Sequence, residues 1–442
     1  MSARRAALLL AIVAVLYACA AVKPAPPPSQ RHVVLISVDA LRPEFYLDGM
    51  FEAPALRALV AGGSAARAAE GVFPTVTYPN HTTIVTGVRP HRHGILYNMT
   101  FDPERGRDRW YEQASDLKAT TLWHWAREAG LTTASVSWPV TVGASIDLLL
   151  AERDYWARKE PLEDLRAAST PGLFDRLGVQ PAAGMFKDVE AWDRFLTDTA
   201  VAMIRQARPN LLLVHLVQMD LTQHRQGRDG VDVPAALRRV DGHVAAILGA
   251  VTEAGLGERT TVIVAGDHGF ETITRTVELN AILARAGLGG CPSRDPTWRA
   301  AAHASGGAAA IFLRDPADAT LRARTEQALR GEAGDRYRLV SRAQLDELGA
   351  MPGAALAVEA APGYALGGAC GRTVEHAARG GTHGYLPSRP LMATGFIAAG
   401  RGVRSGVLLD RVRLLDVAPT AARLLSLSPP PVEGRVLEEI LR

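Results

Sequence analysis

Three nearly continuous apolar runs constrain the fold of this chain more than any other feature of its sequence. They read HVVLISVDA from residue 32, LLLVHLVQMD from residue 211 and TTVIVAGD from residue 260. Such runs are typical of strands that are buried on both faces of a parallel sheet. Periodic helical segments, such as AWDRFLTDTAVAMIRQA, separate the runs. The alternation therefore predicts a doubly wound α/β sheet with helices on both faces.

Each of these runs ends in a residue type that binds metal ions. In open α/β sheets, ligands bind at the carboxyl ends of the strands. A further histidine lies in GGTHGY (380–385), a glycine-rich loop in which a core histidine would be rare. Six such ligands suffice for two zinc-like ions with open positions, and this predicts two-metal hydrolysis of a phosphate ester. The candidate ligands are Asp39, Asp220, His224, Asp267, His268 and His383.

Thr77 is the candidate nucleophile. It lies in TVTYPN, directly ahead of the predicted helix HTTIVTGV. Helix dipole and backbone N–H groups at such a position favour an anion, and a bound metal ion activates a hydroxyl group. The alternative is a helix N-cap, which is the usual meaning of threonine before a helix. The metal ligands elsewhere in the chain favour the nucleophile.

Differences in composition and in apolar pattern along the chain predict four segments. Residues 1–29 form a signal peptide with a proline-rich tether, and residues 30–274 form the first part of a catalytic core. Residues 275–375 contain none of the candidate ligands and are expected to form a smaller inserted α+β subdomain. Residues 376–442 return to the core, with the strand LMATGFIAAG and the helix LLDVAPTAARLLSL.

The N-terminus reads as a targeting segment. Arg4 and Arg5 precede AALLLAIVAVLYACAA, an apolar run with the length of a signal-peptide core. The run ends in LYAC, which resembles a bacterial-type lipobox with Cys19 as the lipidated residue, while Ala18-Cys19-Ala20 also fits ordinary signal cleavage. Both readings predict an exported chain, periplasmic or anchored as a lipoprotein. In that compartment Cys291 and Cys370 can form a disulfide or remain two buried thiols.

Charge and composition narrow the possible partners. The formal net charge is +3 over 442 residues, so no electrostatic field for nucleic acid is expected. No obligate protein partner is evident, and a small molecule is the expected ligand. His215 lies within an apolar run, and we expect it to be buried and neutral.

Taken together, these motifs resemble the nucleotide pyrophosphatase/phosphodiesterase (type I phosphodiesterase) family of the alkaline phosphatase superfamily. The nucleophile segment FPTVTYPNHTTIVTGVRPHRHGILYN (73–98) is similar throughout. SVDALRP, the pair formed by Asp220 and His224, AGDHGF and GGTHGY follow in the order of that family. The resemblance implies an alkaline-phosphatase-like fold, with a mostly parallel sheet, and a hydrolase that contains two zinc ions.

The resemblance also implies individual roles. Thr77 would contact the ions and form a covalent phosphothreonine. Asn98 would donate a hydrogen bond to a phosphate oxygen, beside the backbone N–H of Tyr78. Tyr78 would stack on a nucleobase, and Tyr155 and Trp156 are candidates for the opposite face, unless they pack beneath a loop. One zinc would bind Asp220, His224 and His383, and the other Asp39, Asp267 and His268.

Substrate preference depends on cations near the phosphate. In one group of monoesterases of this superfamily a Lys-x-Arg arrangement follows the strand that here reads SVSWPVTVGAS, a segment without lysine or arginine. We therefore expect diesters or phosphoanhydrides as substrates. The alternatives on the same scaffold are a phosphomonoesterase and a phospholipid head-group phosphodiesterase. A sulfatase or a phosphoglycerate mutase would need a different nucleophile, and a non-catalytic surface lipoprotein would not need all seven site residues.

Overall fold

A computed structural model describes residues 30–103 and 108–442, and residues 31–442 form one compact unit. The predictions for residues 1–29, including Cys19, lie outside the described residues. The strands are β1 (His32–Val38), β2 (Gly63–Ala66), β3 (Ala69–Glu70), β4 (Thr133–Trp138), β5 (Leu148–Ala151), β6 (Leu211–Leu216), β7 (Thr260–Ala265), β8 (Glu271–Thr272), β9 (Arg275–Glu278), β10 (Ala300–Ser305), β11 (Ala308–Leu313), β12 (Tyr337–Val340), β13 (Leu356–Ala360), β14 (Tyr364–Gly367), β15 (Glu375–Ala377), β16 (Gly381–Thr382), β17 (Phe396–Gly400), β18 (Val407–Leu409) and β19 (Val412–Arg413).

The α-helices cover the segments between these strands. They are α1 (Glu44–Leu47), α2 (Pro54–Gly62), α3 (Thr77–Thr86), α4 (Pro90–His93), α5 (Leu122–Glu128), α6 (Pro161–Ala168), α7 (Leu173–Leu177), α8 (Val189–Ala207), α9 (Gln218–Gln226), α10 (Val233–Glu253), α11 (Leu279–Arg285), α12 (Ala319–Gly331), α13 (Arg342–Glu347) and α14 (Val417–Leu424). Across residues 30–103 and 108–442, no helix combines the length and the apolar character that a membrane span requires.

An eight-stranded sheet organises the fold. Its strand order is β18-β2-β17-β7-β1-β6-β4-β5. The five strands from β7 to β5 are parallel to one another, and β17 is antiparallel to both of its neighbours. The sequence prediction of a mostly parallel α/β sheet is thus confirmed.

Both faces of this sheet are covered. In β1, Val34 and Ile36 belong to one apolar cluster, whereas Val33 and Leu35 belong to the other. The first cluster includes residues of α2, α8 and α10, and the second includes residues of α3, α5 and α14. Burial on both faces explains why β1 reads as an unbroken apolar run, since alternate side chains point to opposite faces.

A second, antiparallel sheet lies within the predicted insertion. Its order is β10-β11-β13-β12, and its strands fall between residues 300 and 360. Nearby, Cys291 and Cys370 form a disulfide with a Cα–Cα distance of 5.6 Å. The domain limits at residues 275 and 375 remain a prediction.

Candidate metal centre and adjoining cleft

The candidate ligands converge at the carboxyl ends of three neighbouring strands. Asp39 directly follows β1, and Asp267 and His268 follow β7 on one side of it. On the other side, β6 ends at Leu216, so Asp220 does not close the strand as its sequence position suggested. Instead, Asp220 lies in the first turn of α9, which also carries His224. The spacing of four residues places both side chains on one helical face.

Asp39, Asp267 and His268 form the first ligand group, and their ligand atoms lie within 4.8 Å of one another. The Nε2 atom of His268 is 3.2 Å from Asp39 Oδ1 and 3.2 Å from Asp267 Oδ2. Asp267 Oδ1 accepts a hydrogen bond from the backbone N–H of Ala40 at 3.0 Å. Both Asp39 Oδ1 and Asp267 Oδ2 are buried without a hydrogen-bond partner among the described residues.

Asp220, His224 and His383 form the second group. Asp220 Oδ1 is 3.3 Å from His224 Nε2 and 3.5 Å from His383 Nε2, and it also has no hydrogen-bond partner among the described residues. The two Nε2 atoms are 3.1 Å apart. His383 stacks on His268 with ring centroids 3.6 Å apart, so the two groups adjoin each other.

The hydrogen bonds of the histidines prepare them to bind metal. The Nδ1 atom of His224 lies 3.0 Å from the carbonyl oxygen of Gly381, and that of His383 lies 3.0 Å from the carbonyl oxygen of Thr75. His268 Nδ1 is similarly 3.1 Å from its neighbouring carbonyl oxygen. When Nδ1–H donates to a carbonyl, Nε2 presents a lone pair, which is the usual arrangement of metal-bound histidine.

The electrostatics of the two groups favour a cation. Burial, and then the charge of Asp220, raises the pKa of Asp39 to about 7. Burial, and then the charge of Asp39, raises the pKa of Asp267 well above its usual range. Burial lowers the pKa of His383 to about 4, which favours the neutral imidazole that metals bind. The unpartnered buried oxygens fit divalent transition metals, as do the imidazoles of His268 and His383, whose pKa values burial lowers.

Thr77 lies at the edge of both groups. It is the first residue of α3, and the N-cap position belongs to Val76, which makes no side-chain cap. Thr77 therefore does not act as the helix cap that its sequence context also allowed. Its Oγ1 atom is 3.5 Å from His268 Nε2. The turn before it is fixed because Asn80 Nδ2 donates to the carbonyl of Val76 at 2.9 Å.

Asn98 and the backbone of Tyr78 contact each other. The N–H of Tyr78 donates a hydrogen bond to Asn98 Oδ1 at 2.9 Å. The two groups were expected to act side by side as donors to phosphate, but here the N–H already has Asn98 as its acceptor. The remaining donor of this pair is the Asn98 Nδ2 group.

An aromatic cleft of about 290 Å³ opens beside Thr77, Asp39 and Asp220. Its aromatic lining residues are Tyr78, Trp110 and Trp156. The rings of Tyr78 and Trp110 are 5.2 Å apart, and Trp156 is 44% exposed. Trp110 was missed from the sequence, where it lies in a charged loop without periodicity.

The prediction for Tyr155 is wrong. Its side chain is fully buried, and its hydroxyl donates to the carbonyl of Ala151 at 2.9 Å. Its ring packs against Trp192 and Phe186 in the core. Tyr155 and Trp156 lie in one short 3-10 turn, in which only the second side chain lines the cleft.

His215 was also misjudged from the sequence. It is buried as expected, but its Nε2 atom is 3.2 Å from Asp39 Oδ2 and its Nδ1 atom is 2.7 Å from Glu152 Oε2. Burial opposes the charged form, but Glu152 and Asp39 outweigh it and raise the pKa of His215 well above its usual value. These two contacts favour the charged form of the ring over the neutral form expected from the sequence. A histidine inside an otherwise apolar strand was the one sequence signal of this contact.

Comparisons with known proteins agree with this geometry. A family model described as type I phosphodiesterase / nucleotide pyrophosphatase matches residues 33–386. The human ectonucleotide pyrophosphatase/phosphodiesterase family member 1 is 25% identical over 254 residues, 54% of this chain and 23% of that protein. Human family member 7 is 26% identical over 259 residues, 56% of this chain and 49% of that protein. The chain thus spans about a quarter to a half of the length of these curated relatives.

Solved structures are similar over nearly the whole chain. Murine ectonucleotide pyrophosphatase/phosphodiesterase 5 superposes with a TM-score of 0.71 at 20% identity, covering 93% of this chain and 100% of that one. An inactive form of that mouse protein in complex with AMP has a TM-score of 0.69 at 19% identity, with the same coverage. At this level of identity the likeness shows a common fold, which is alkaline-phosphatase-like.

Proposed function

The chain belongs to the type I phosphodiesterase/nucleotide pyrophosphatase family, and on that basis we propose that it hydrolyses phosphodiester or phosphoanhydride bonds at a two-zinc centre. The observation that carries this proposal is the pair of adjoining ligand groups beside the Thr77 hydroxyl. Each group supplies three protein ligands, the number that catalytic zinc sites use when one position stays open for substrate.

The six ligands divide between the two ions as the geometry groups them. One ion would bind to Asp39, Asp267 and His268. The other ion would bind to Asp220, His224 and His383. When bound, zinc supplies Lewis-acid stabilisation of charge on the phosphate oxygens and lowers the pKa of a nearby hydroxyl.

Thr77 acts as the nucleophile in this proposal. The Thr77 hydroxyl gives its proton to solvent, and Oγ1 forms a bond to phosphorus while the bond from phosphorus to the leaving oxygen breaks. The leaving oxygen takes up a proton from solvent. A water oxygen then forms a bond to phosphorus while the bond from phosphorus to Oγ1 breaks, and Oγ1 takes up a proton, which restores the Thr77 hydroxyl. Asn98 donates from Nδ2 to a non-bridging oxygen, where negative charge is held during both steps.

We infer a preference for diesters from the cations around the cleft. Arg153 lines the cleft, but its Nε atom pairs with Glu112 Oε2 at 3.1 Å. Arg225, next to His224, is exposed at the lining. A dianionic monoester needs more positive charge than a monoanionic diester, and SWPVTVGAS supplies none.

The aromatic lining supports a nucleotide as the small-molecule substrate. Trp110 and Trp156 offer apolar ring faces beside the buried ring of Tyr78. Base stacking contributes about 1–3 kcal/mol per base whatever the base. Phospholipid head groups are the alternative diesters. The N-terminal sequence supports an exported protein, periplasmic or anchored through a lipid at Cys19.

A direct test compares kcat/KM for bis-p-nitrophenyl phosphate and p-nitrophenyl phosphate on the zinc-loaded chain. We expect a strong preference for the diester. A preference for the monoester would overturn the assigned substrate class and direct attention to Arg225.

Thr77→Ala tests the covalent step in the same assay. We expect turnover to be lost while two zinc ions per chain remain bound, because the change removes the nucleophile and none of the six ligands. Thr77→Ser, which keeps a hydroxyl, is the matched control and should retain measurable turnover. Normal turnover by the alanine variant would exclude the phosphothreonine.

A further inference from the structure

A second cleft lies at the opposite end of the central sheet. It measures about 570 Å³ and is lined by five arginines and one acidic residue, Glu438. The arginines are Arg31, Arg401, Arg404, Arg423 and Arg442. Arg31 precedes β1, and Arg401 follows β17, so both lie at the end of the sheet where β1 and β7 begin. Because β1 has seven residues, roughly 20 Å of strand separates this cleft from the metal centre.

The backbone holds these arginines in place. The N–H of Arg401 donates to the carbonyl of Thr260 at 2.9 Å, and the Arg401 carbonyl accepts from Thr261 Oγ1 at 2.6 Å. The N–H of Arg404 donates to the carbonyl of Ile440 at 2.8 Å. The backbone of Arg401 and Arg404 is therefore fixed to the sheet and to the C-terminal segment.

Three of the five arginines have no ion pair within residues 30–103 and 108–442. Among the described residues, no ion pair involves Arg401, Arg404 or Arg423, whereas Arg411 elsewhere on the surface pairs with Glu70 at 2.6 Å. The wider edge is also positive: burial, and then the charges of Arg259 and Arg208, lower the pKa of His32. A concave site lined by one sign of charge concentrates the field on an ion of opposite sign.

We propose that this cleft binds a phosphate-bearing anion, independently of the catalytic centre. Guanidinium groups form bidentate, charge-assisted hydrogen bonds to phosphate oxygens, and several groups converging on one cavity fit a tetrahedral anion. The anion is either a free phosphate or the head group of an anionic phospholipid. In both cases the ligand leaves the aromatic cleft beside Thr77 open, because the two sites lie at opposite ends of β1.

The test uses the full chain, loaded with zinc, and two arginine double variants of equal net charge. R401Q/R423Q removes two guanidinium groups from the cleft. R176Q/R324Q is the control and removes two exposed arginines that do not line it. Hydrolysis of bis-p-nitrophenyl phosphate by both variants verifies that the metal centre is intact.

Equilibrium dialysis against radiolabelled inorganic phosphate is the first arm. We expect the wild type and the control to bind one more phosphate per chain than the cleft variant. In that variant the affinity of the cleft for phosphate should fall about a hundredfold, because each of the two lost charge-assisted hydrogen bonds contributes about tenfold. Flotation with phosphatidylcholine vesicles, with and without phosphatidylglycerol, is the second arm. If phosphatidylglycerol increases flotation of the wild type and of the control but not of the cleft variant, the ligand is a phospholipid head group.

Either difference supports an anion site, and the arm in which it occurs identifies the source of the phosphate. Equal phosphate stoichiometry together with equal vesicle binding in all three proteins would overturn the proposal. A loss that is the same in both double variants would also overturn it, because net charge rather than the cleft would then be responsible.

Discussion

His215 joins Asp39, a candidate metal ligand, to Glu152 in the wall of the aromatic cleft. It contacts Asp39 Oδ2 through Nε2 and Glu152 through Nδ1, so Asp39 keeps only Oδ1 without a partner. A carboxylate whose second oxygen is fixed in this way presents one defined oxygen to an ion. The residue therefore orients a ligand without binding the ion itself.

His215→Gln is expected to weaken zinc binding at the Asp39 group by about 10–100-fold, as changes behind a metal ligand commonly do. Competition with a chromogenic chelator measures the two affinities. His32→Gln is the matched control, since His32 is also buried but contacts the carbonyl of Pro209 at the other end of the sheet. Equal zinc affinity in the two variants would contradict this role.

Trp156 lines the aromatic cleft, whereas its neighbour Tyr155 is buried in the core. Variants of the two residues therefore test whether a base stacks in the cleft. Trp156→Ala should lower kcat/KM for the p-nitrophenyl ester of thymidine 5′-phosphate relative to methyl p-nitrophenyl phosphate, which has no base, by about 5–100-fold. Tyr155→Phe removes a hydroxyl from the core and should leave this ratio unchanged. An unchanged ratio in the tryptophan variant would remove base stacking on Trp156 from the proposal.

Helix α9 carries two candidate metal ligands, Asp220 and His224, and is held at its first turn by a side chain from α8. Asp193 accepts from the N–H of Val217 through Oδ1 and from the N–H of Gln218 through Oδ2, each at 3.0 Å. Free N–H groups at a helix start need such acceptors. Asp193 thus fixes the position of α9 relative to the sheet.

Burial raises the pKa of Asp193 to about 6, because its effect is larger than that of the two backbone hydrogen bonds, which lower the pKa. The folded chain therefore holds this proton more tightly than the unfolded chain. The resulting stabilisation is complete below pH about 4 and is lost as the pH rises through about 6.

Asp193→Asn has no proton to lose, so the stability advantage of the wild type over it should shrink between pH about 4 and 7. The change is at most about 3 kcal/mol, for a difference of about two pKa units. Urea unfolding of both proteins in EDTA, which removes the linkage to metal, measures it. A difference that stays constant over this range would contradict the raised pKa.

For the whole molecule, the two ends of the central sheet differ in charge. Three aspartates meet at the carboxyl end, and the arginine-lined cleft lies at the amino end. Burial, and then the charge of Asp220, raises the pKa of Asp39 to about 7. Ionising the carboxylates at this end together is therefore unfavourable unless a cation is bound.

Removal of metal should lower the melting temperature of the chain. A site filled at a thousand times its Kd stabilises the folded state by about 4 kcal/mol. Calorimetry with and without EDTA measures the shift, and added zinc should restore it better than calcium, which does not favour imidazole ligands. The same melting temperature in both conditions would argue against a bound metal.

The sequence predicted the elements and ligands that depend on local pattern. Apolar runs predicted β1, β6 and β7, and polar residues at or after their ends predicted candidate ligands that the structure brings together. It failed where orientation is decided by tertiary packing. Tyr155 and Trp156 are adjacent letters with the same aromatic character, and only the core formed by Trp192 and Phe186 decides which one turns inward.

His215 and Trp110 were missed for a related reason. His215 contacts Glu152, which is 63 residues away in sequence and directly follows β5, two positions from β6 in the sheet. Trp110 comes from a loop that lies beside Tyr78. Neither contact can be predicted from the spacing of residues in the sequence, because one depends on the order of strands in the sheet and the other on the path of a loop.

The first ligand of the metal centre is residue 39 and the last is residue 383, with the antiparallel sheet of residues 300–360 in between. A ribosome delivers these ligands in order, at about 5–20 residues per second. The second ligand group stays incomplete until residue 383 has emerged, so a nascent chain has no finished centre for most of its synthesis. Chains that end prematurely within the region from 300 to 360 would be released without His383, so only the first ligand group could be complete in them.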